Sequence, residues 1–412
     1  MKARMTAPFV LASMGGAALS VAFAALLRGG IFVRFVGVLL AIQTFAVVSL
    51  APAFQGWVLW IMAWAQAASF VHILSLLRPE LRDWKWRALI SWPGQWFVAG
   101  SFAAFPWAVA AWIPGQPFTV AGAAVVGWWI PYALALIGLV QSGGRAKKET
   151  LRIDVKGEAG GEQRRAPELV TERRRGLHGD FDGLRIVQIT DPHLGPFMSI
   201  DRLRAICERA VAAKPDLILL TGDFYTMESQ HTEGALRTAL APLREHPAVY
   251  ACRGNHDLEC PELVASELQA VGVRLLVDEA VTIDTRIGPV EIVGIDFRWR
   301  NRAQHLASFF ANRPRPARRI VLQHDPGAFH HLPAGVADLV LSGHTHGGQV
   351  GLVSFGLPHT FVSLVSNIPD HGPWVANGNR LYVHRANGHY GFPIRFGVPA
   401  EESVLELQGW AA

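Results

Sequence analysis

Aspartate, histidine and asparagine gather at five points in the C-terminal half of this 412-residue sequence. Asp191 and His193 flank Pro192, Asp223 follows Gly222, and Asn255, His256 and Asp257 follow Gly254. His324 stands alone, while His344 and His346 flank Thr345 among Gly343, Gly347 and Gly348. Two divalent cations about 3.5–4 Å apart need such a set: ligands for either ion, a carboxylate able to touch both, and open positions for hydroxide and a phosphate oxygen. Carboxylate, carboxamide and imidazole suit Mn, Fe, Zn or Ni, and the lack of Cys ligands argues against a structural zinc site. His344 and His346 share a face if their segment is extended. The neighbouring glycines equally allow a tight turn that splays them towards two ions. Singly, each residue would default to a cap, turn or core role; the ordered set is what carries the metal reading.

The elements that position these residues are short apolar runs. Leu184–Ile189 leads to Asp191 and His193, Leu217–Leu220 to Asp223, and Ala248–Cys252 to Asn255 and His256. Ile320–Gln323 leads to His324 and Leu339–Leu341 to His344, with a further run at Ile292–Ile295. Runs apolar on both faces indicate strands of a sheet covered on both sides. Helical spacing recurs at Ile200–Ala213, Gly234–Leu243, Pro261–Ala270 and Arg302–Ala311, the rhythm of a layered α/β domain. The ligands then fall at the C-terminal ends of strands, where α/β sites assemble.

In this order the motifs resemble the five-motif signature of the calcineurin-like metallophosphoesterase superfamily, over roughly Gly183 to Leu407. The Gly343–Gln349 motif, the membrane-anchored layout and the late segment Gly388–Glu401 look like its branch of YkuE- and YaeI-type phosphodiesterases. The resemblance implies a four-layer αββα sandwich with a dinuclear site at one edge. It implies that Asp191, His193 and His346 hold one metal, that Asn255, His324 and His344 hold the other, and that Asp223 bridges. His256 would contact the scissile phosphate and act as acid for the leaving group, and Asp257 would orient His256. Two departures stand out: Pro192 occupies a usually aliphatic position, and Phe224-Tyr225-Thr226 lacks the supporting second Asp common after Gly222-Asp223. The implied reaction is hydrolysis of a phosphodiester or pyrophosphate by a metal-activated hydroxide, on a lipid-linked or membrane-proximal substrate such as a UDP-2,3-diacylglucosamine. The alternative is a non-catalytic membrane scaffold or sensor on the same fold, whose mark would be lost ligands; none is lost.

The N-terminal half answers to lipid. Half of all residues are hydrophobic and 17% are charged, lean for a soluble protein. Five apolar stretches, at 7–27, 35–53, 56–77, 90–113 and 118–141, approach the roughly 20 residues that cross about 30 Å of hydrocarbon. A four-span reading also survives. Arg28, Arg34, Arg78, Arg82, Lys85, Arg87, Arg145, Lys147 and Lys148 then fall on one side, which places the catalytic half in the cytoplasm by the positive-inside rule. The spans lack acidic residues, so an anchor in the inner membrane is favoured over a transport path. The net charge of +5 and pI near 9.3 reflect basic loops beside apolar runs, so the expected partners are the bilayer and a phosphorylated lipid or small molecule, not nucleic acid. Residues 1–144 therefore read as a transmembrane domain, 145–182 as a basic linker with a short edge strand near Leu151–Val155, and 183–412 as the catalytic domain. Three Cys without pair spacing argue against a disulfide framework.

Overall fold

The computed structural model describes residues 2–113, 119–120, 124–176 and 181–410. The chain divides into two compact units, Met1–Gly143 with Gly391–Phe396, and Gly144–Tyr390 with Gly397–Ala412.

The first unit is helical, with α1 (Lys2–Leu27), α2 (Gly30–Leu50), α3 (Trp57–Ser75), α4 (Trp84–Trp86), α5 (Trp92–Ala103), α6 (Phe105–Ala110) and α7 (Ile130–Gly143), plus a two-residue hairpin of β1 (Thr119–Val120) and β2 (Ala124–Val125). Among the described residues, three helical stretches are long and apolar enough to cross a membrane: Ala7–Leu27, Phe32–Ala53 and Trp57–Ser75. The expected stretch 90–113 overlaps a helix that runs without a break from Trp84 to Ala103 and then turns at Ala104. A π-helical turn at Arg87–Ser91 precedes α5, and the helix restarts at α6, where Pro106 cannot donate its backbone N–H. Of the expected stretch 118–141, residue 118 lies outside the described residues, and the rest gives β1, β2 and the 14-residue α7. At 1.5 Å per residue that helix falls short of a bilayer core of about 30 Å. Gln43 bonds Ser69 at 2.9 Å, and His72 Nε2 lies 3.1 Å from Gln95 Nε2, so the polar groups of these helices pack against one another. The segment Gly391–Phe396 packs in the same unit, with Ile394 against Ala99 and Ala135.

The second unit holds two seven-stranded sheets. One runs, in spatial order, β5 (Val170–Arg175), β3 (Lys147–Asp154), β16 (Glu401–Gln408), β6 (Leu184–Ile189), β7 (Leu217–Leu220), β8 (Val249–Ala251) and β9 (Arg274–Leu275). The other runs β10 (Glu279–Thr285), β11 (Gly288–Ile295), β12 (Arg319–Gln323), β13 (Leu339–Ser342), β15 (Asn379–Val383), β14 (Gly372–Ala376) and β4 (Arg164–Arg165). The strands β6 to β9 are parallel, as are β11, β12, β13 and β15. Alternate residues split between two layers. Leu184, Ile186, Leu217 and Leu219 share one core with Ile292, Ile320, Leu322 and Leu341 of the opposite sheet. Val293, Ile295, Val321 and Val340 face the other way, onto Leu306 and Phe310. The crossover helices α8 (Ile200–Ala212), α9 (Ala235–Leu240), α10 (Pro261–Ala270) and α11 (Arg302–Ala311) must therefore cover the outer faces, since the inner faces are spent on each other. The helix α8 starts at Ser199, whose hydroxyl accepts from Arg202 N, and buries Leu203, Ile206, Cys207 and Ala210 at helical spacing.

The stretch 145–182 is no exposed connector. The strand β3 pairs in parallel with β16 over eight residues and antiparallel with β5, so it lies inside the sheet and not at its edge. Its charges are matched by distant partners. Glu149, 1% exposed, accepts from Arg385 at 2.8 Å, and buried Glu406 takes Arg185 at 3.0 Å and Arg152 at 3.2 Å.

Candidate metal centre

The loops after β6, β7 and β8 meet those after β12 and β13 at one edge of the sandwich. Asp191, His193 and His346 form one group able to hold a metal ion, and Asp223, His324 and His344 form a second. Each group takes residues from both sheets, so neither exists until the sandwich closes. His193 Nε2 lies 3.0 Å from His346 Nε2, and His346 Nε2 lies 3.2 Å from Asp191 Oδ1. Asp223 Oδ2 is 3.5 Å from His193 Nε2 and 3.2 Å from His324 Nε2, while its Oδ1 accepts from His256 N at 2.9 Å. One carboxylate oxygen thus addresses both groups.

The backbone is bent to make this possible. Asp191, His193, Asp223, His344 and His346 all have positive φ, between 47° and 66°. Such conformations cost about 1–3 kcal/mol each and persist where surrounding bonds fix them. Here the bonds are visible: His344 N donates to Asp191 Oδ1 at 2.9 Å, Asp191 N to Gly222 O at 2.9 Å, and His193 N to Asp223 O at 3.2 Å. Glycine is obligatory at two close approaches. A Cβ on Gly343 would sit 1.9 Å from Asp191 Oδ2, and one on Gly254 would sit 2.1 Å from Asp223 Oδ1. The left-handed turn at His344 and His346 settles the choice left open by their spacing: they go to different groups.

The electrostatics ask for positive charge. Burial would lower the His324 imidazole, but Asp223 and Asp191 raise it to about 10. Burial lowers His193 to about 4 against the pull of Asp191 and Asp223, and lowers His344 as well, leaving neutral nitrogens fit to bind a cation. Asp191 and Asp223 are held well below the carboxylate range despite burial, with His324 the leading opposing charge. His324 Nδ1 lies 2.6 Å from Thr221 O, which fixes its proton there and turns Nε2 inward. Asn255 Oδ1 is buried with no hydrogen-bond partner, a costly state unless a cation takes the lone pair. These residues fit a pair of divalent ions.

One expected role, that of Asp257, needs revision. Asp257 does not orient His256: its buried carboxylate accepts from Asp223 N at 2.7 Å, Gly254 N at 2.8 Å and Phe224 N at 2.9 Å, so it staples the two ligand loops together. Burial and the nearby Asp223 push it up to about 6. His256 Nδ1 instead lies 3.1 Å from Glu259 Oε1, three residues on across a 3-10 turn, and Gln230 Nε2 holds the other oxygen of Glu259. Burial would lower His256, but Glu259, Asp223 and Asp257 together raise it. The i, i+3 spacing was the available signal for Glu259. Tyr390 was also missed; its ring stacks on His193 at 5.2 Å and meets His256 edge-on at 4.9 Å.

The remaining residues sort by burial. Arg253 forms a two-point pair with Asp296, at 2.9 and 2.6 Å. Phe224 and Tyr225 fill the core where a second Asp is common. His384 and His389 are buried, His389 stacked on Phe197 at 4.6 Å. A shallow groove opens at His324, lined by Asp296, Phe297, Arg298, Arg302 and Asp325 among others, with Arg298 paired to Asp278 and Arg302 to Asp325.

A two-sheet sandwich that gathers two metal-competent groups at the ends of parallel strands defines a metal-dependent hydrolase class. Residues 184–348 match the calcineurin-like phosphoesterase family. The chain is 30% identical over 247 residues to phosphodiesterase YaeI of Escherichia coli K12, covering 58% of this chain and 88% of that one. It is 26% identical over 276 residues to UDP-2,3-diacylglucosamine pyrophosphatase LpxG of Chlamydia trachomatis, covering 54% and 83%. It is 27% identical over 254 residues to a Bos taurus transmembrane protein with metallophosphoesterase domain, covering 56% of this chain and 54% of that one. The chain belongs to the calcineurin-like phosphoesterase family. It is a metallophosphoesterase, a hydrolase, with helices apolar enough to span a membrane.

Proposed function

We propose that the chain hydrolyses a phosphodiester or pyrophosphate bond in a lipid-linked or membrane-proximal substrate. Asp191, His193 and His346 would hold one divalent cation and Asn255, His324 and His344 a second, with Asp223 shared by the two sets. The observation that carries this is the single oxygen of Asp223 lying within 3.5 Å of His193 and 3.2 Å of His324. Cations bound there supply Lewis-acid stabilisation of phosphoryl charge and a nucleophile at neutral pH. Burial opposes a charge on His256, but Glu259 and the carboxylates around it outweigh it and favour the charged, protonated form. That proton passes from Nε2 to the leaving oxygen as its bond to phosphorus breaks, and the oxygen of a water that has released a proton to solvent bonds in its place. Glu259 fixes the proton on Nδ1, which leaves Nε2 facing the substrate. Asp257 keeps the loops of Asp223 and Asn255 in register.

Support for a lipid-linked substrate comes from the membrane-spanning helices and from the likeness to LpxG, whose name specifies a diacylated sugar nucleotide. The basic loops at Arg28 and Arg78–Arg87 support a cytoplasmic catalytic unit in the inner membrane. The test is Asp223→Asn in the full chain. We expect it to retain little bound metal by elemental analysis and to lose on the order of 10³ or more of its turnover of an aryl phosphodiester, as loss of a two-metal clamp implies. A near-normal rate with full metal content would overturn the assignment.

A further inference from the structure

Three residues beyond His346 begins a segment unlike the rest of the catalytic unit. From Gln349 to Pro369 there is no Asp, Glu, Lys or Arg. Yet Phe355, Leu357, Phe361, Leu364, Val365 and Ile368 are exposed, Phe355 by 71% and Leu364 by 76%. Apolar side chains grouped this way on a water-facing domain mark a contact surface.

The segment is built, not loose. Gly351 bridges Thr360, Leu352 N donates to His359 O at 2.8 Å, and Phe361 N donates to Val350 O at 2.8 Å. The short helix α12 (Phe361–Val365) starts with a capping box between Thr360 and Ser363. Thr360 and Asp370 are both buried and bond to each other, and Arg165 pairs with Asp370 from the outside. Thr360 and Asp370 thus turn inward and satisfy each other, while Ser354, His359 and Asn367 share the exposed side with the apolar groups. Apolar groups outside and a polar pair within reverse the usual order and suit an apolar phase, because no water is there to pair the backbone.

We propose that this face seats in the acyl region of a lipid bilayer. The span-length helices of the same chain make a bilayer the nearest apolar phase. A face that binds a second copy is framed by a polar, charged rim and anchored by Arg, Tyr or Trp; this segment has no Asp, Glu, Lys, Arg, Tyr or Trp, and its aromatic rings are Phe355 and Phe361. Lacking basic residues, it engages lipid by apolar insertion and not by attraction to anionic head groups, so zwitterionic lipid suffices and salt has little effect. The seat deepens the lipid-linked reading of the active site: it would hold acyl chains and the residues following His346 at one interface.

The experiment uses the full chain in phosphatidylcholine nanodiscs, with Cys260→Ser and one added cysteine, Leu364→Cys or Phe361→Cys, carrying an environment-sensitive fluorophore. Arg300→Cys, at an exposed position of the same unit, is the control. We expect the probes at 364 and 361 to be quenched severalfold more by nitroxide-bearing lipid than by aqueous nitroxide, unchanged by salt, and the probe at 300 to show the reverse. Aqueous quenching at 364 and 361 overturns the proposal. Shielding from both quenchers, with energy transfer between differently labelled copies, also overturns it and assigns the face to a second copy. Turnover of a soluble aryl ester and of a lipid pyrophosphate in the same discs separates the two readings. Lipid quenching without any lipid turnover would sink the substrate reading and leave the seat standing.

Discussion

Replacing Glu259 by Ala tests how His256 is held. The Nδ1–Oε1 distance of 3.1 Å is that of a hydrogen bond to a charged group, worth about 1.5–3 kcal/mol in proteins. The Glu259 side chain is 38% exposed, so water screens it and the lower end applies. A loss near 1.5 kcal/mol corresponds to about tenfold in rate. The fall should appear in kcat and not in KM, because orientation of the acid matters as the leaving oxygen gains charge. His256→Ala should cost more, about 10² to 10⁴, the span of general acid catalysis. The assay compares aryl esters of increasing leaving-group acidity. Both losses should shrink for esters whose leaving group needs no proton, and metal content should stay at the wild-type level. The decisive measurement is the double variant. If Glu259 acts only through His256, His256→Ala with Glu259→Ala should be no slower than His256→Ala alone. Multiplicative losses, or a loss from Glu259→Ala that ignores the leaving group, would refute the positioning role.

Arg385→Met should destabilise the catalytic unit by about 3–5 kcal/mol, the usual cost of removing one partner from a buried pair, because it takes the guanidinium from Glu401, 1% exposed, while Glu149 keeps Arg173 and Lys147. Thermal unfolding of the detergent-solubilised full chain checks this, and an unchanged midpoint would contradict it. Asp370→Asn tests a pH-linked contribution. Burial would raise the Asp370 carboxyl, but bonds from His371 and Thr360 and the Arg165 charge hold it below its ordinary value. A depressed carboxyl gives stability that is fully present above the unfolded pKa, about 3.9, and is lost as pH falls through the folded value. The wild-type advantage over Asp370→Asn should therefore be full at neutral pH and shrink below about pH 4; a constant difference would count against it.

Much of the site was legible because its signals are local. Each ligand follows an apolar run within a few residues, and a run buried on both faces declares itself without reference to any partner. The observed β6 and β7 have the expected bounds, as do α10 and α11. The helical unit was less legible, since hydropathy measures composition and not helix continuity. The π-helical turn before α5, the turn before α6 and the shortness of α7 leave no mark in an apolar composition.

The stretch 145–182 misled for a further physical reason. Charge density reads as solvent exposure unless each charge has a partner, and the partners here lie far along the chain. Arg152 meets Glu406, and Glu149 meets Arg385; only the folded sheet brings them together. The same distance hides the staple at Asp257, whose three donors come from two loops. It also bears on where the chain can be cut. Removing everything before Glu149 would sever β3 behind Lys148, in a strand whose pairing with β16 begins at Lys147. Such a truncation removes ladder bonds along with the helices, so its loss of activity on lipids could not be assigned to the missing membrane unit. A cut that asks what the helices contribute has to leave Lys147 and its ladder to Glu401 intact.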